Sequence, residues 1–258
     1  MDRSKEVKRS IFRALALAAF ACFPLMAEGQ TDFGIWASVG AEKKIDKKWS
    51  VGAEADFRSR NNAKTADRWS FGVEGEYKII KGLRVSAGYT LLYDNAPEKI
   101  TYNIYNNVSS YNNWRPSYWR YRHRFQVSLT GSIDAGRWSF SLRERWQYTY
   151  RPETTTDRYD FDNQWWEETT VKGKGKNVLR SRIKVDYNIK NCRIDPYVSA
   201  ELFNAWSLEK TRYIIGADWK ITKNHNVGIY YGFQKANEDD DDDDGDSHIL
   251  GVSYKYKF

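Results

Sequence analysis

Between Trp49 and Arg58 the chain alternates strictly: Trp49, Val51, Ala53, Ala55 and Phe57 are apolar, and Ser50, Gly52, Glu54, Asp56 and Arg58 fall between them. A period of two describes a β-strand with one apolar and one polar face. The pattern repeats where Trp69, Phe71, Val73, Gly75, Tyr77 and Ile79 oppose Arg68, Ser70, Gly72, Glu74, Glu76 and Lys78. After a turn at Lys81-Gly82, Leu83, Val85, Ala87, Tyr89, Leu91 and Tyr93 oppose Arg84, Ser86, Gly88 and Thr90. Further strands are predicted to begin near Trp119, Trp138, Leu179, Ile194, Thr211, Val227 and Leu250, and a first one runs from Phe33 to about Ala41, which makes eleven segments.

The connections alternate in length. Tight ones are expected at Asp46 to Lys48, Lys81-Gly82, Asp134 to Arg137, Lys190 to Arg193 and Thr222 to His225, and long ones near 59 to 67, 94 to 117, 151 to 177, 204 to 210 and 236 to 247. Short turns at one end and long loops at the other are the asymmetry of an outer-membrane barrel, with the long loops facing outward. The expected fold is therefore all-β: an antiparallel transmembrane β-barrel of ten to twelve strands, of the outer-membrane type. Eleven segments conflict with the even strand number of single-chain bacterial barrels. A strand hidden in a long loop, residues 28 to 33 threading the lumen, or a misread first segment would each resolve it.

Average hydropathy argues the other way at first sight, because a mean of −0.77 describes a very polar chain. A barrel wall needs only alternate residues apolar, however, and aromatic residues reach 16%. The first 27 residues stand apart from the rest. Arg3, Lys5, Lys8, Arg9 and Arg13 precede an apolar run from Ala14 to Met26, the layout of a cleavable signal peptide cut before Glu28. Residues 28–258 then form one barrel domain with a formal charge of +4 against +7 for the full chain, and Cys192 alone, so no internal disulfide is possible. Lipidation at Cys22 is the weaker alternative, since Ala19-Phe20-Ala21 is not the usual small-residue approach to a lipidated cysteine. The expected location is the outer membrane of a Gram-negative bacterium, in contact with its lipid and lipopolysaccharide.

At the far end Leu250, Val252, Tyr254, Tyr256 and Phe258 alternate with Gly251, Ser253, Lys255 and Lys257. A closing amphipathic strand with a terminal aromatic is similar to the sorting signal that outer-membrane barrels present to the barrel-assembly machinery, which is the expected partner.

The segment Pro196-Tyr197-Val198-Ser199-Ala200-Glu201-Leu202-Phe203, followed by Arg212, Gly216 and Trp219-Lys220-Ile221, goes beyond generic barrel character. Together with Phe33-Gly34-Ile35-Trp36 and Lys47-Lys48-Trp49 it resembles the domain-of-unknown-function family 2490 of Gram-negative outer-membrane proteins. The resemblance covers most of residues 31 to 258. It implies an outer-membrane barrel and supplies no catalytic residues.

Candidate chemistry lies on the polar faces. Arg120, Arg122 and Arg124 on one strand, Arg143 and Arg145 on the next, and Arg180, Arg182 and Lys184 on the third form a basic wall pointing inward. Glu54, Asp56, Glu74 and Glu76 form an acidic wall. Two functions follow from the same residues. A narrow porin-like channel would pass small anionic solutes past the arginines, and a structural barrel would pair the walls into a plugged, salt-bridged lumen. His123 and Glu144 break the pattern by falling on the lipid side, which suggests the membrane boundary or a β-bulge. Alternation parts the aromatics of 118 to 125 from the arginines, so a nucleic-acid surface is not expected.

No metal or cofactor is expected. The acidic run from Glu238 to Asp244 has Asp240, Asp242, Asp244 and Gly245 at calcium-loop offsets, yet Gly251 stands where a bidentate Glu is needed. The protein is read as non-enzymatic. Asp246 and His248 have the Asp-x-His spacing of outer-membrane proteases, with Asp160 and Asp162 as loose candidates for the opposing pair, and His123-Arg124-Phe125 lacks the His-x-Ser of a lipid A deacylase.

Overall fold

A computed structural model describes residues 31–105, 108–236 and 245–258. The expected signal peptide and the acidic run from Glu238 to Asp244 lie outside the described residues. Fifteen strands follow in order: β1 (Asp32–Lys44), β2 (Trp49–Arg60), β3 (Thr65–Ile80), β4 (Leu83–Ala96), β5 (Lys99–Tyr105), β6 (Val108–Arg115), β7 (Tyr118–Ala135), β8 (Trp138–Arg151), β9 (Thr154–Asp160), β10 (Trp165–Val171), β11 (Lys174–Tyr187), β12 (Ile194–Ala205), β13 (Ser207–Lys220), β14 (His225–Ala236) and β15 (Ser247–Lys257).

Eleven of them close into a barrel in the order β1-β15-β14-β13-β12-β11-β8-β7-β4-β3-β2. Every neighbouring pair is antiparallel except β1 and β15, which run parallel from Asp32 beside Ser247 to Glu42 beside Lys257. That parallel pair settles the odd strand count: eleven strands close without a hidden or misread one. β1 enters at the loop-bearing rim, where Asp32 accepts hydrogen bonds from the backbone N–H groups of Asn61 (2.9 Å) and Asn62 (2.7 Å). At the opposite rim the Phe258 N–H donates to the Glu42 carbonyl at 2.9 Å. The tight turns fall where the alternation stops. Gly82 has φ +84° in one of them, and a Cβ there would strike the Ser132 carbonyl, so only glycine fits.

The wall is inside out relative to a water-soluble protein. Phe71 is 56% exposed on the outer face, whereas Glu201 is 4% exposed within. Val39, Val73, Val127, Leu142, Ile183, Ile215, Ile229 and Val252 continue the outer apolar surface. Aromatic pairs ring both ends of it: Trp49 with Tyr77 and Trp138 with Tyr187 near the tight turns, Phe57 with Trp69 and Tyr93 with Trp119 near the loops. A closed barrel with an apolar belt and two aromatic girdles is the outer-membrane type, in which every backbone donor in lipid is satisfied by a neighbouring strand.

Three expectations are corrected. The register passes His123 and Glu144 without a bulge, so both do face outward. Each is satisfied locally: the Tyr89 hydroxyl and His123 Nδ1 are 2.7 Å apart, and the Ser181 hydroxyl donates to Glu144 at 2.7 Å. Bulges occur elsewhere in the barrel, at Arg58/Ser59, Lys78/Ile80 and Phe203/Asn204. The regions 59 to 67 and 204 to 210 are mostly strand, because β2, β3, β12 and β13 run beyond the apolar belt. Finally, the long loops 94 to 117 and 151 to 177 are not irregular. They contain the hairpins β5–β6 and β9–β10, joined through Asn113 beside Asp160 and Trp114 beside Tyr159 into a four-stranded sheet over the rim. A continuous chain of rings from Tyr102 through Tyr111, Phe161, Tyr159 and Trp166 to Trp114, each 5.1 to 5.6 Å from the next, packs it.

Candidate functional site

Successive side chains of a strand point to opposite faces, so the polar half of each pattern fills the lumen. Arg120, Arg122, Arg124, Arg143, Arg145, Arg180, Arg182 and Lys184 all occupy inward positions, on β7, β8 and β11. Glu54, Asp56, Glu74 and Glu76 occupy inward positions on β2 and β3. Arg145 reaches Glu74 at 3.3 Å, joining the two walls, and Gln126 donates to the same carboxylate at 3.2 Å. Asp56 pairs with Arg58 at 3.1 Å and accepts from Ser70. Glu76 lies 3.5 Å from Arg84, and Lys184 bridges Asp186 (2.7 Å) and Asp218 (3.5 Å).

The centres of the network are two carboxylates outside the predicted walls. Asp94, expected at the start of a loop, is on β4 and points inward between Arg68 and Arg122, both of which donate to it. Glu201, on β12 opposite Arg182 and Arg212, accepts from Arg180 at 3.0 Å through each of its oxygens and from Arg143 at 2.9 Å, with Arg212 3.7 Å away. Their signal in the sequence is phase: each is an acidic residue at an inward position beside a strand whose inward positions carry arginine.

Aromatic rings also enter the lumen, among them Trp36, Tyr197, Phe203 and Tyr230. Arg58 and Arg212 lie over Trp36, 4.0 and 4.7 Å from the ring centre, and Arg180 and Arg212 lie over Phe203 at 4.6 and 4.9 Å. Stacked guanidinium groups of this kind lose less hydration energy than ammonium groups would. An outer cavity of about 120 Å³ is lined by Arg58, Arg68, Arg122, Arg124, Arg180 and Arg212. An inner one of about 610 Å³ is lined by Glu54, Asp56, Glu74, Arg143, Arg145 and Arg182. Because Arg180 and Arg212 face the outer cavity and Arg143 the inner, Glu201 stands between the two.

The remaining candidates are not brought together. Asp246 accepts from the Ala236 N–H at 2.9 Å, while His248 bonds the Tyr231 hydroxyl. Asp160 closes the β9–β10 turn. The backbone N–H and side-chain amide of Asn163, then the backbone of Asp162, hold its carboxyl below the usual range. Among the described residues no three His, Cys, Asp or Glu side chains are grouped to hold a metal.

No protein of curated function matches the chain. Among solved structures it is similar to the β-domain of the Bordetella autotransporter BrkA, with 10% identity over 80% of this chain and 79% of that one and a TM-score of 0.46. Residues 33–245, the bulk of the barrel, match the family described as "Protein of unknown function (DUF2490)", and the chain belongs to that family.

Proposed function

We propose that this barrel sits in the outer membrane of a Gram-negative cell and serves as a narrow conduit for small anionic solutes. The observation that supports it is the excess of arginine over carboxylate around the outer cavity, at the rim that carries the long connections. Charge lining a water-filled constriction selects ions without catalysis. Solutes would enter past the β5–β6–β9–β10 sheet, meet the arginines first, and pass the Glu201 centre into the wider inner cavity. On this reading the outer surface meets lipid and lipopolysaccharide, and the chain carries no enzymatic site.

Purified barrel in planar bilayers should give small, anion-preferring conductance. Replacing Arg143, Arg145 and Arg182 together by Gln should weaken the preference. It should also fade with salt, since charges in channel water are screened over about 10 Å at 0.1 M. A second reading has its own support in the ion pairs of Asp94 and Glu201 along the lumen wall and of Glu74 with Arg145 between separated strands: a braced, non-conducting barrel with a structural role. A folded barrel that never conducts decides for that reading, and cation preference refutes the conduit as described.

A further inference from the structure

Among the described residues, arginines outnumber carboxylates in the outer half of the lumen. Arg58, Arg68, Arg122, Arg124, Arg180 and Arg212 surround one cavity. Among the described residues three carboxylates pair with these six guanidinium groups: Asp56 with Arg58, Asp94 with Arg68 and Arg122, and Glu201 with Arg180 and Arg212, while Glu209, which also lines the cavity, pairs with Lys176. Glu201 is shared further with Arg143, from the inner cavity. Like charges a few ångströms apart repel strongly even where the effective dielectric is well above that of a dry interior. The ring therefore favours a state with an anion inside it.

Hydrogen-bond capacity points to the same place. Arg124 donates through Nε to the Thr149 hydroxyl at 3.2 Å, and no carboxylate reaches it among the described residues. The buried Nε of Arg180 has no acceptor, although its two terminal nitrogens are engaged by Gln147 and Glu201. Arg58, Arg180 and Arg212 turn their flat faces to Trp36 and Phe203, and Gln234 takes Nε and Nη2 of Arg212, so the donors left toward a ligand are Nε of Arg180 and the guanidinium of Arg124. The cavity between them measures about 120 Å³. Roughly 10–15 Å³ of such space holds one water, so it accommodates a small oxyanion with part of its hydration.

We infer that this cavity is an oxyanion-binding site for a phosphate or sulfate group, with Arg124 as its central donor. The inference deepens the anion-conduit reading and rests on it only in requiring that the outer cavity be reached from solution. Guanidinium forks pair with two oxygens of one group, so a tetrahedral dianion meeting several forks is bound in preference to a halide or a single carboxylate.

Titration calorimetry on the full barrel in detergent, at constant ionic strength, tests this with inorganic phosphate, sulfate and acetate, and with glucose 6-phosphate as a larger carrier of the same group. Phosphate and sulfate should saturate one site, with acetate at least tenfold weaker. Glucose 6-phosphate binding as well as phosphate identifies a phosphorylated solute as the ligand, and binding only the free ions identifies the ion itself. Arg124→Gln should lower phosphate affinity tenfold or more and Arg124→Lys should recover part of it. Arg193→Gln, in the tight turn between β11 and β12, should stay within twofold. Heat-dependent gel mobility reports whether each variant is folded. Should Arg124→Gln not fold, the unmodified barrel still decides: phosphate must raise its thermal unfolding midpoint saturably where chloride of equal ionic strength does not. No saturable phosphate binding, or equal losses in the Arg124 and Arg193 variants, overturns the site. Binding without conductance refutes the conduit and leaves the site standing, whereas conductance without binding refutes the site alone.

Discussion

Each carboxylate oxygen of Glu201 lies 3.0 Å from Nη2 of Arg180, on the adjacent strand of the barrel wall. The same carboxylate also serves Arg143 and Arg212, so three arginines depend on one acid. Removing it by Glu201→Gln leaves those charges facing one another in a confined space. Breaking a buried pair from one side costs about 3–5 kcal/mol. Urea unfolding of the barrel in lipid vesicles should show a loss of that order, and Arg180→Gln added to Glu201→Gln should recover part of it. An unchanged midpoint would mean that water, not Glu201, balances the arginines.

Gly251 sits beneath the ring of Tyr230, its partner across β14 and β15, and an added Cβ would overlap that ring. Gly216, on the other side of Tyr230, is crowded by the Tyr230 Cβ and by the ring of Tyr197. Gly251→Ala should therefore destabilise the barrel by about 1–3 kcal/mol, the usual cost of overpacking. Tyr230→Ala should relieve it in the double variant, which the same unfolding assay would detect as non-additivity.

Phe258 is 66% exposed just beyond β15, and its N–H closes onto Glu42. Its ring meets Tyr256 edge-on at 4.6 Å, and a sorting role predicts an effect on assembly beyond the loss of that contact. Phe258→Asp should then lower the yield of folded barrel in cells more than Asn112→Asp at the β5–β6 hairpin, while both refold equally in detergent. Equal yields in cells would remove the sorting role.

The turn after β1 carries a pH dependence of known sign. Asp46 accepts from the backbone N–H groups of Trp49 (2.7 Å) and Lys48 (2.6 Å), which hold its carboxyl below the usual range. A depressed folded-state value stabilises the turn above the unfolded value and loses that stabilisation as pH falls through the folded one. Amide exchange at Trp49 should accelerate, relative to its intrinsic rate, on acidification below about pH 4, the range of an ordinary aspartate. Asp46→Asn should remove that dependence.

The wall was legible in the sequence because lipid imposes its own rule. Val51, Phe71 and Val127 must face hydrocarbon, their neighbours must not, and the period of two follows. Beyond the lipid that rule lapses. Thr154–Asp160 and Trp165–Val171 pair with each other and through β6 without needing one apolar face, so they read as loop. The alternation also assigned Arg145 and Glu74 to the lumen but could not say that they meet. Arginine reaches across a barrel between strands far apart in the chain, and partner choice depends on curvature that no local pattern carries. Asp94 and Glu201 were not read as lumen acids for that reason: each is a single acid whose importance comes from the arginines around it.

The parallel contact of β1 with β15 makes this cylinder a split ring. Elsewhere neighbouring wall strands follow one another along the chain, through short turns, the linked hairpins or residues 237–246, so a tear there must also pull on a covalent connection. Along Asp32–Glu42 and Ser247–Lys257 no turn bridges the two edges, and the slanted hydrogen bonds of parallel strands hold slightly less per residue than antiparallel ones. Mechanical load, thermal breathing or an inserting partner would find the least resistance on this one line. A slit opened there would expose Ser38 and Gly40 on one lip and Ser253 on the other, turning a closed tube into a gutter with a side door onto the bilayer.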